Sequence, residues 1–295
     1  MLCALRAAGW YFRTLPHLPW NRALEKRLAR GLLRRWPRQL AVATCFGARM
    51  EVDTGDFLGG RIALFGLWEP SITHYVAAAL APGDVMIDVG ANIGYYALLA
   101  ATRIGPTGRV FAIEASPSIY RDLERNIARN SFRTIVPLNC AAIDGRRPVS
   151  VHLHDPANRG RASVLDRFEA VASHPVETGV EGRALPDIVP EDALRAARLI
   201  KIDVEGAEWL VVAGLRDRLR DLSPRAEILV EIDADAIEAS GGSVAALADI
   251  FASAGFAAFQ IENTYSAAEY THARRAAPVP LTSHGLRQGD LLFRR

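Results

Sequence analysis

Apolar residues recur along the chain in two alternating patterns. Short, nearly continuous apolar runs predict buried strands at 85–89, 109–113, 134–138, 199–204, 228–232 and 291–294. Segments with the 3.6-residue spacing of helices lie beside them, at 71–80, 95–103, 118–130, 207–215 and 244–254. Since strands and helices alternate, we expect an α/β fold with a parallel sheet that helices cover on both faces.

Two internal segments depart from this alternation. Residues 40–66 alternate loosely and contain glycines such as Gly59, which predicts a short antiparallel hairpin leading into the main domain. Residues 148–187 are polar and hold three of the seven histidines, which predicts an inserted ribbon with loops. We therefore expect one domain over residues 40–295 with an insertion at 148–187.

The N-terminal segment carries most of the positive charge. The chain has 35 basic and 33 acidic residues and a net charge of +2, which argues against a nucleic-acid partner. Residues 1–49 nevertheless hold nine arginines, Lys26 and one acid, Glu25. We expect residues 1–39 to form a basic helical extension. It either contacts an anionic membrane surface or an acidic partner, or packs on the protein body with its guanidinium groups in water.

Cysteine usage and hydropathy bear on the compartment. The three cysteines, Cys3, Cys45 and Cys140, are too scattered for a disulfide framework or a zinc motif. We therefore expect a cytoplasmic location, with peripheral contact at the inner membrane face as the alternative. No apolar run reaches the roughly 18 residues of a membrane-spanning helix. No pattern in the sequence specifies the oligomeric state.

The most informative motif is a glycine-rich turn after the first apolar run. In Val85-Met-Ile-Asp-Val-Gly-Ala-Asn-Ile-Gly94, a strand reaches Asp88, Gly90 permits a sharp bend, and a helix begins near Gly94. The helix N-terminus offers free N–H groups to a ligand. Glu114, at the end of the next strand, can accept both hydroxyls of a ribose, so the site suits an adenosine-type cofactor.

The acid before the turn distinguishes between such cofactors. A dinucleotide-binding turn reads G-x-G-x-x-G, whereas Asn92 stands here in place of the second glycine. The carboxylate of Asp88 disfavours a pyrophosphate and favours the amino group and the sulfonium of S-adenosylmethionine. We therefore expect S-adenosylmethionine; the alternatives are the NAD of an oxidoreductase and a turn that binds no cofactor.

A second motif, Leu199-Ile-Lys-Ile-Asp-Val-Glu-Gly-Ala-Glu208, places charges in a predicted strand. Alternation puts Lys201 and Asp203 on one face, and Glu205 continues that row just beyond the strand. Glu231 reaches the same edge of the sheet from another predicted strand. Such charges are costly to bury, and open α/β sheets bind ligands at this edge, so the motif predicts a functional site.

Three interpretations of these charges compete. Asp203 or Glu205 removes a proton from a substrate hydroxyl while Lys201 tunes its partner or holds the substrate. Alternatively, the acids bind a divalent metal ion, or Lys201 and Asp203 form a structural ion pair. Only two of the 35 basic residues are lysines, which suggests that Lys201 is selected for its compact ammonium. We favour the first interpretation, with Lys201, Asp203 and Glu205 catalytic and no metal ion.

At these residues the sequence resembles the FkbM family of S-adenosylmethionine-dependent methyltransferases, over about residues 65–233. The likeness rests on Trp68-Glu-Pro70, Pro82-Gly-Asp84, Ile87-Asp-Val-Gly-Ala-Asn-Ile-Gly-Tyr95, Phe111-Ala-Ile-Glu-Ala-Ser-Pro117, Asn130, Ala141-Ala-Ile-Asp144, Ser163 and Lys201-Ile-Asp-Val-Glu-Gly-Ala-Glu208. It implies a class I methyltransferase, or Rossmann-like, fold with a mostly parallel seven-stranded sheet. It also implies methyl transfer to a hydroxyl of a sugar, glycan or natural product.

Carried over by position, the resemblance implies a cofactor site and a substrate site. The cofactor residues are Asp88, Gly90, Asn92, Gly94, Glu114 and Ala115. The substrate-facing residues are Glu69, Lys201, Asp203 and Glu205, to which the neighbouring strand adds Glu231. Many members have Thr-Leu-Asp where this chain has Ala184-Leu-Pro-Asp187, so we expect no role for that stretch.

The inserted segment bears on the acceptor. It could line the acceptor pocket with polar side chains, or it could form a solvated ribbon. The polar candidates are His152, His154, Asn158 and Ser163. A non-catalytic protein that keeps the fold and docks through its basic N-terminus is the alternative outside the enzymes.

Overall fold

The computed structural model describes residues 39–153, 162–165, 175–263, 269–270, 277–282 and 285–295. The predicted N-terminal helix, His154 and Asn158 lie outside these residues.

An eight-stranded sheet forms the centre of the described chain, one strand more than the seven expected. Its strands are β3 (Val85–Val89), β4 (Arg109–Glu114), β5 (Ile135–Asn139), β10 (Ala197–Ile202), β11 (Glu227–Asp233), β12 (Ala257–Ile261), β13 (Val279–Pro280) and β14 (Gln288–Arg294). Their order is β13-β12-β14-β11-β10-β3-β4-β5. The five strands from β11 to β5 are parallel, and β14 runs antiparallel between β11 and β12.

Helices cover this sheet and close two apolar cores. They are α1 (Phe57–Phe65), α2 (Pro70–Ala79), α3 (Tyr95–Ile104), α4 (Pro117–Ala128), α5 (Leu185–Ile188), α6 (Glu191–Ala196), α7 (Glu208–Leu215), α8 (Ala234–Ala239) and α9 (Val244–Ser253), with short 3₁₀ turns at Gly105–Thr107 and Arg216–Asp221. Alternate residues of one strand enter opposite cores: Ile87 packs with α7 and α9, and Met86 with α2 and α3. Both faces are therefore buried, as the continuous apolar runs predict.

No helix among the described residues has the length and apolar character needed to cross a membrane.

The predicted hairpin at 40–66 is only half right. Strands β1 (Gln39–Ala43) and β2 (Arg49–Asp53) pair antiparallel, but the second half of the segment is helix α1. Asp56 caps this helix by accepting a hydrogen bond from the Gly59 amide. A side chain at residue 59 would place its Cβ 2.1 Å from the Asp53 carbonyl oxygen. Gly59 thus allows helix and strand to approach closely and does not mark a turn.

The inserted segment forms a second, four-stranded sheet beside the first. Its strands are β6 (Ala141–Ala142), β7 (Arg147–Leu153), β8 (Ala162–Ser163) and β9 (Val176–Arg183), in the order β6-β9-β7-β8. Within the described residues, the segment predicted to form a ribbon thus contains paired strands. The ribbon starts from β6, which follows β5 directly, so it stands at the carboxyl edge of the central sheet.

Candidate active site

A cavity of about 500 Å³ opens at the carboxyl edge of strands β3, β4, β10 and β11. Its two sides differ in composition. The turn side consists of Gly90, Ala91, Asn92, Ile93, Ile113, Glu114, Ala115, Ile119, Cys140, Ala141 and Ala142. The acidic side consists of Glu69, Tyr96, Lys201, Asp203, Glu205, Glu231, Asp233, Asn263 and Asp290, with Phe57 and Trp68 beside them.

On the turn side, Gly90 allows two strand ends to touch. Its φ is +84°, and a Cβ at this position would lie 1.7 Å from the Asp203 carbonyl oxygen. The Asp203 amide donates a hydrogen bond to the Val89 carbonyl at 3.0 Å. A glycine is therefore required both by the bend and by the neighbouring strand. The turn and the catalytic candidates of the second motif are in direct backbone contact.

Glu114 organises the rest of the turn. Its two carboxylate oxygens accept hydrogen bonds from the Asn92 amide at 2.8 Å and the Ser116 amide at 2.9 Å. Asn92 itself has a left-handed backbone, with φ of +50°. Burial raises the pKa of Glu114 to about 7, against the two amide hydrogen bonds. The side chain lines the cavity and, as a bound carboxylate, keeps lone pairs for a ligand.

Two of the predicted cofactor residues do not line the cavity. Gly94 precedes α3 with φ of +93°, and a Cβ there would meet Leu123 at 2.7 Å, so its role is in packing. Asp88 is 1% exposed, and neither of its carboxylate oxygens has a hydrogen-bond partner among the described residues. Burial raises the pKa of Asp88 to about 6, although Lys201 opposes this shift.

Asp88 nevertheless connects the two sides. It lies opposite Lys201 in the pairing of β3 with β10, directly behind the turn. A buried carboxylate without a hydrogen-bond partner is costly, and it creates a negative potential at the cavity wall. Its predicted contact with the cofactor stays a prediction.

Lys201 is the centre of the acidic side. It is 4% exposed, and its Nζ lies 2.6 Å from Asp203 Oδ2 and 4.6 Å from the centre of the Tyr96 ring. Burial alone lowers the pKa of Lys201, but Asp203, Glu69 and Asp88 together raise it above its ordinary value. The ammonium is therefore charged, and several carboxylates share it.

Asp203 and Glu231 form a hydrogen-bonded carboxyl pair in which one member carries the proton. Burial raises the pKa of Asp203, but Lys201 and a hydrogen bond with Glu231 lower it below its ordinary value. The charge of Asp203, together with burial, raises the pKa of Glu231 well above its ordinary value. Asp203 is thus the ionised member of the pair, and Glu231 is the neutral one that donates to it.

Glu69 anchors a second group of polar side chains. It is buried with φ of +39°, accepts a 2.7 Å hydrogen bond from the Tyr96 hydroxyl, and accepts a 3.2 Å hydrogen bond from Asn263 Nδ2. Asn263 also donates to Asp290 Oδ2 at 3.3 Å. Burial and the nearby Glu69 raise the pKa of Asp290 well above its ordinary value, so this carboxyl is neutral.

The structure therefore brings together the predicted catalytic and substrate residues. Lys201, Asp203, Glu205, Glu231 and Glu69 all line one cavity. The buried ion pair of the third interpretation is present, but it lies in the cavity wall, so the first and third interpretations describe the same residues.

Carboxylate oxygens of Asp203, Glu205 and Glu231 lie within 4.8 Å of one another, a spacing at which three acids can hold a metal ion. Lys201 and the proton of Glu231 neutralise this group in part.

The polar residues of the ribbon had two open alternatives, as lining of the acceptor pocket or as part of a solvated ribbon. His152 and Ser163 pair across β7 and β8 and do not line the cavity. The ribbon contributes Val151, Ala162 and Val164 instead. The alternation along β7 puts Val151 and His152 on opposite faces, and the apolar face is the one that turns inward.

Several site residues had been missed. Tyr96 is the second residue of a predicted helix, Asn263 follows strand β12, which was not predicted, and Asp290 precedes the predicted closing strand at 291–294. Strand β14 in fact begins at Gln288 and pairs Asp290 with Glu231. A polar residue flanking an apolar run was the only available signal for Asp290.

Comparison with known proteins identifies the domain. A family model described as the Methyltransferase FkbM domain matches residues 88–258, more than half of the chain. The chain belongs to the FkbM methyltransferase family. Residues 88–258 therefore form the core of an S-adenosylmethionine-dependent methyltransferase domain with a class I, Rossmann-like fold. This overturns the NAD-dependent alternative.

The curated relatives are methyltransferases of several kinds. The 31-O-demethyl-FK506 methyltransferase FkbM of Streptomyces tacrolimicus is 33% identical over 163 residues, which are 47% of this chain and 62% of that protein. The hexuronic acid methyltransferase AglP of Haloferax volcanii is 28% identical over 66% of this chain and 74% of its own length. Methyltransferase sdnD of Sordaria araneosa is 28% identical over 48% of this chain. The chain spans 64% of the sdnD protein, so it matches less than two thirds of that relative.

Solved structures with a related fold include M. jannaschii TYW2 in complex with AdoMet, with a TM-score of 0.45 and 12% identity over 88% of both chains. Aeropyrum pernix fibrillarin, with natively bound S-adenosyl-L-methionine, has a TM-score of 0.40 and 16% identity over 88% of this chain and 94% of its own. The assignment to the FkbM family rests on the domain match and not on these structures.

The cavity fits the family's methyl donor. Its lining carries seven carboxyl groups, Glu69, Glu114, Asp203, Glu205, Glu231, Asp233 and Asp290, and one lysine. Such a lining favours a ligand with a sulfonium and an ammonium group. Glu114 lines the turn side and would accept the hydroxyls of the donor's ribose, whereas Asp88 lies behind the turn and would act on the donor's amino end through its negative potential.

Proposed function

We propose that this protein is an S-adenosylmethionine-dependent O-methyltransferase that acts on an uncharged hydroxyl-bearing acceptor, namely a sugar, a glycan or a natural product. The observation that carries the proposal is the division of one cavity into a turn side with Glu114 and an acidic side that surrounds Lys201. The turn side suits a cationic nucleoside, and the acidic side suits hydroxyl groups.

For this reaction the protein has to align the methyl donor with the acceptor and remove one proton from the acceptor hydroxyl. When bound, S-adenosylmethionine would supply a methyl carbon that the hydroxyl oxygen attacks, with S-adenosylhomocysteine as the leaving group. The contact of Gly90 with the Asp203 carbonyl fixes the distance between the two sides, which supports alignment of donor and acceptor. A carboxylate near the hydroxyl then takes its proton as the oxygen–carbon bond forms.

Glu205 is the carboxylate best suited to this step. Asp203 is held ionised by Lys201 at 2.6 Å, and its lowered pKa makes it a weak base. The charge of Asp203 and burial raise the pKa of Glu231 well above its ordinary value, so it holds its proton and is unsuited to act as the base. Glu205 is partly exposed and lies at the cavity end of the 203–207 turn. We assign it the role of general base, and we assign Asp203 and Lys201 the role of orienting the acceptor.

The charges of the acidic side select the acceptor. Lys201 already neutralises Asp203, so an acceptor carboxylate or phosphate would meet further carboxylates with no spare cation among the described lining residues. Neutral hydroxyls can instead donate hydrogen bonds to the ionised carboxylates of the lining. Phe57, which packs edge-on against Trp68 at 5.7 Å, offers an apolar surface for a sugar ring or macrocycle. We therefore expect this chain to differ from AglP, whose name gives it a hexuronic acid acceptor.

The test is transfer of a labelled methyl group to pairs of acceptors that differ only in charge, such as an aryl glucoside and the matching aryl glucuronide. We expect the neutral member to be methylated at least roughly tenfold faster, because the carboxylates repel the acidic one. Equal or faster methylation of the glucuronide would overturn the assignment of the acceptor. Absence of transfer to any hydroxyl, with the donor bound, would overturn the proposed function.

The same assay identifies the base. Glu205→Gln is expected to bind S-adenosylhomocysteine normally and to lose about 10²–10⁴-fold in turnover, because the amide cannot take a proton. Asp217→Asn is the control, since Asp217 is an exposed acid far from the cavity. Unchanged turnover in Glu205→Gln would remove Glu205 as the base, and loss of turnover with EDTA in the wild type would favour the metal-binding interpretation.

A further inference from the structure

We propose that Glu208 is a positioning residue, which holds the turn at 203–206 so that Glu205 faces the cavity. The inference rests on the proposed function of Glu205. Glu208 does not line the cavity; it is 1% exposed and begins helix α7 behind the turn.

The turn at 203–206 has a backbone that requires restraint. Glu205 has a left-handed conformation with φ of +54°, and Gly206 follows with φ of +111°. Residues other than glycine, asparagine and aspartate rarely adopt the left-handed φ of Glu205 without support from their surroundings. Relaxation of Glu205 to an ordinary φ would rotate its carboxylate away from its neighbours.

Glu208 supplies the restraint on one side of the turn. Its Oε1 accepts two hydrogen bonds of 3.0 Å, from the Val204 amide and from the Gly206 amide. These amides flank Glu205, so one carboxylate oxygen fixes the backbone before and after it. Both hydrogen bonds end on the buried Glu208 side chain, where they are stronger than in water.

The other end of the turn is fixed by the glycine turn. The Asp203 amide donates to the Val89 carbonyl, and Gly90 leaves no room between itself and the Asp203 carbonyl. The segment that carries Asp203 and Glu205 is therefore held at Gly90 on one end and at Glu208 on the other. Glu205 is the residue between these anchors that has the least favourable backbone.

The cost of burying Glu208 supports a role beyond capping a helix. Its Oε2 has no hydrogen-bond partner among the described residues. Other helices of this chain are capped without a buried acid: Ser243 accepts from the Ala246 amide at 3.0 Å at the start of α9. A buried carboxyl at α7 is retained because it reaches two amides of the turn, which a serine at the helix start would not.

The experiment compares Glu208→Ala with Glu208→Gln in the full-length protein. Amide hydrogen exchange at Val204 and Gly206, read by NMR, should speed up at least tenfold in the alanine variant. It should stay near the wild-type rate in the glutamine variant, which keeps the accepting oxygen. Ser243→Ala serves as the matched control, because it removes a helix cap far from the cavity and should leave both amides protected.

The kinetic readout uses the aryl glucoside assay. Glu208→Ala should lower kcat at least tenfold with little change in the affinity for S-adenosylhomocysteine, and Glu208→Gln should restore most of kcat. Wild-type protection of the two amides in Glu208→Ala, or equal losses in both variants, would overturn the inference. If no hydroxyl-bearing acceptor is methylated, the proposed function fails, whereas the exchange measurement still decides the role of Glu208.

Discussion

The two sides of the cavity are built by different means. The turn side is made mainly of backbone: Gly90 and Asn92 adopt positive φ values, and Glu114 is held by two amides. The acidic side is made of side chains that surround one ammonium, that of Lys201. A site built from backbone depends on the path of the chain, and a site built from buried charges depends on their balance. We therefore expect the turn side to tolerate changes of side-chain charge that would destabilise the acidic side.

Among the variants that test this difference between the two sides, we expect Lys201→Met to have the largest effect. The variant leaves Asp203 and its neighbours buried without their cation, so we expect a loss of about 3–5 kcal/mol in unfolding free energy. Urea unfolding at pH 7.5 measures it. The loss should shrink at pH 5, because the abandoned carboxylates can then take up protons.

Lys201→Arg is the control for this experiment. It keeps the charge and should retain most of the stability, while turnover falls because the larger guanidinium displaces the compact ammonium beside Asp203. If both variants lose the same stability, packing against the Tyr96 ring and not charge balance maintains the acidic side.

The same contrast explains what could be read from the sequence. The turn side was predictable because Asp88, Gly90 and Asn92 lie within five residues of one another and Glu114 ends the next strand. The local sequence therefore specifies that these residues lie close together. Most parallel strands were predictable for the same reason, since each is a single apolar run.

The acidic side was predictable only where a charge interrupts an apolar run, as at Lys201 and Glu231. Asn263 and Asp290 come from chain segments about 60 and 90 residues beyond Lys201, and only the antiparallel insertion of β14 between β11 and β12 brings them there. The sheet order that achieves this depends on long-range pairing, which no local pattern encodes.

Helix α1 was not predicted, because Gly59 and Gly60 have a low intrinsic helix propensity. Packing of the helix against β2 stabilises it nevertheless.

A second prediction tests whether the two sides are independent. Asp88→Ala should weaken the binding of S-adenosylhomocysteine at least roughly a hundredfold, or about 2.7 kcal/mol, because the negative potential behind the turn is lost. Titration calorimetry measures it. In the wild type the affinity should also fall as pH drops through about 6, the pKa of Asp88, and this step should be absent in the variant, which keeps only the step of Glu114 near 7.

The control for Asp88 is Asp84→Ala, which removes an acid before the other end of β3 whose side chain accepts from the Ala81 amide. It should leave the affinity unchanged. Wild-type affinity in Asp88→Ala would mean that the turn binds the donor through Glu114 and backbone alone.

The smallest effect concerns the pH dependence of stability. Burial raises the pKa of Glu208 to about 7, against an ordinary value near 4.5 that applies when the chain is unfolded. Between these values the folded protein binds a proton that the unfolded chain has lost, so raising the pH from 5 to 8 favours unfolding. Glu208→Gln cannot titrate and keeps the accepting oxygen, so it should gain about 2 kcal/mol relative to the wild type over this range.

Asp88 and Glu114 also have raised pKa values and are unchanged in Glu208→Gln, so the difference between the two unfolding curves isolates Glu208. A constant difference between pH 5 and pH 8 would show that the Glu208 carboxyl is ionised throughout and that its two amide hydrogen bonds outweigh burial. In that case the acidic side would resemble the turn side, with a charge held by backbone amides. The contrast between the two sides would then be confined to the group around Lys201.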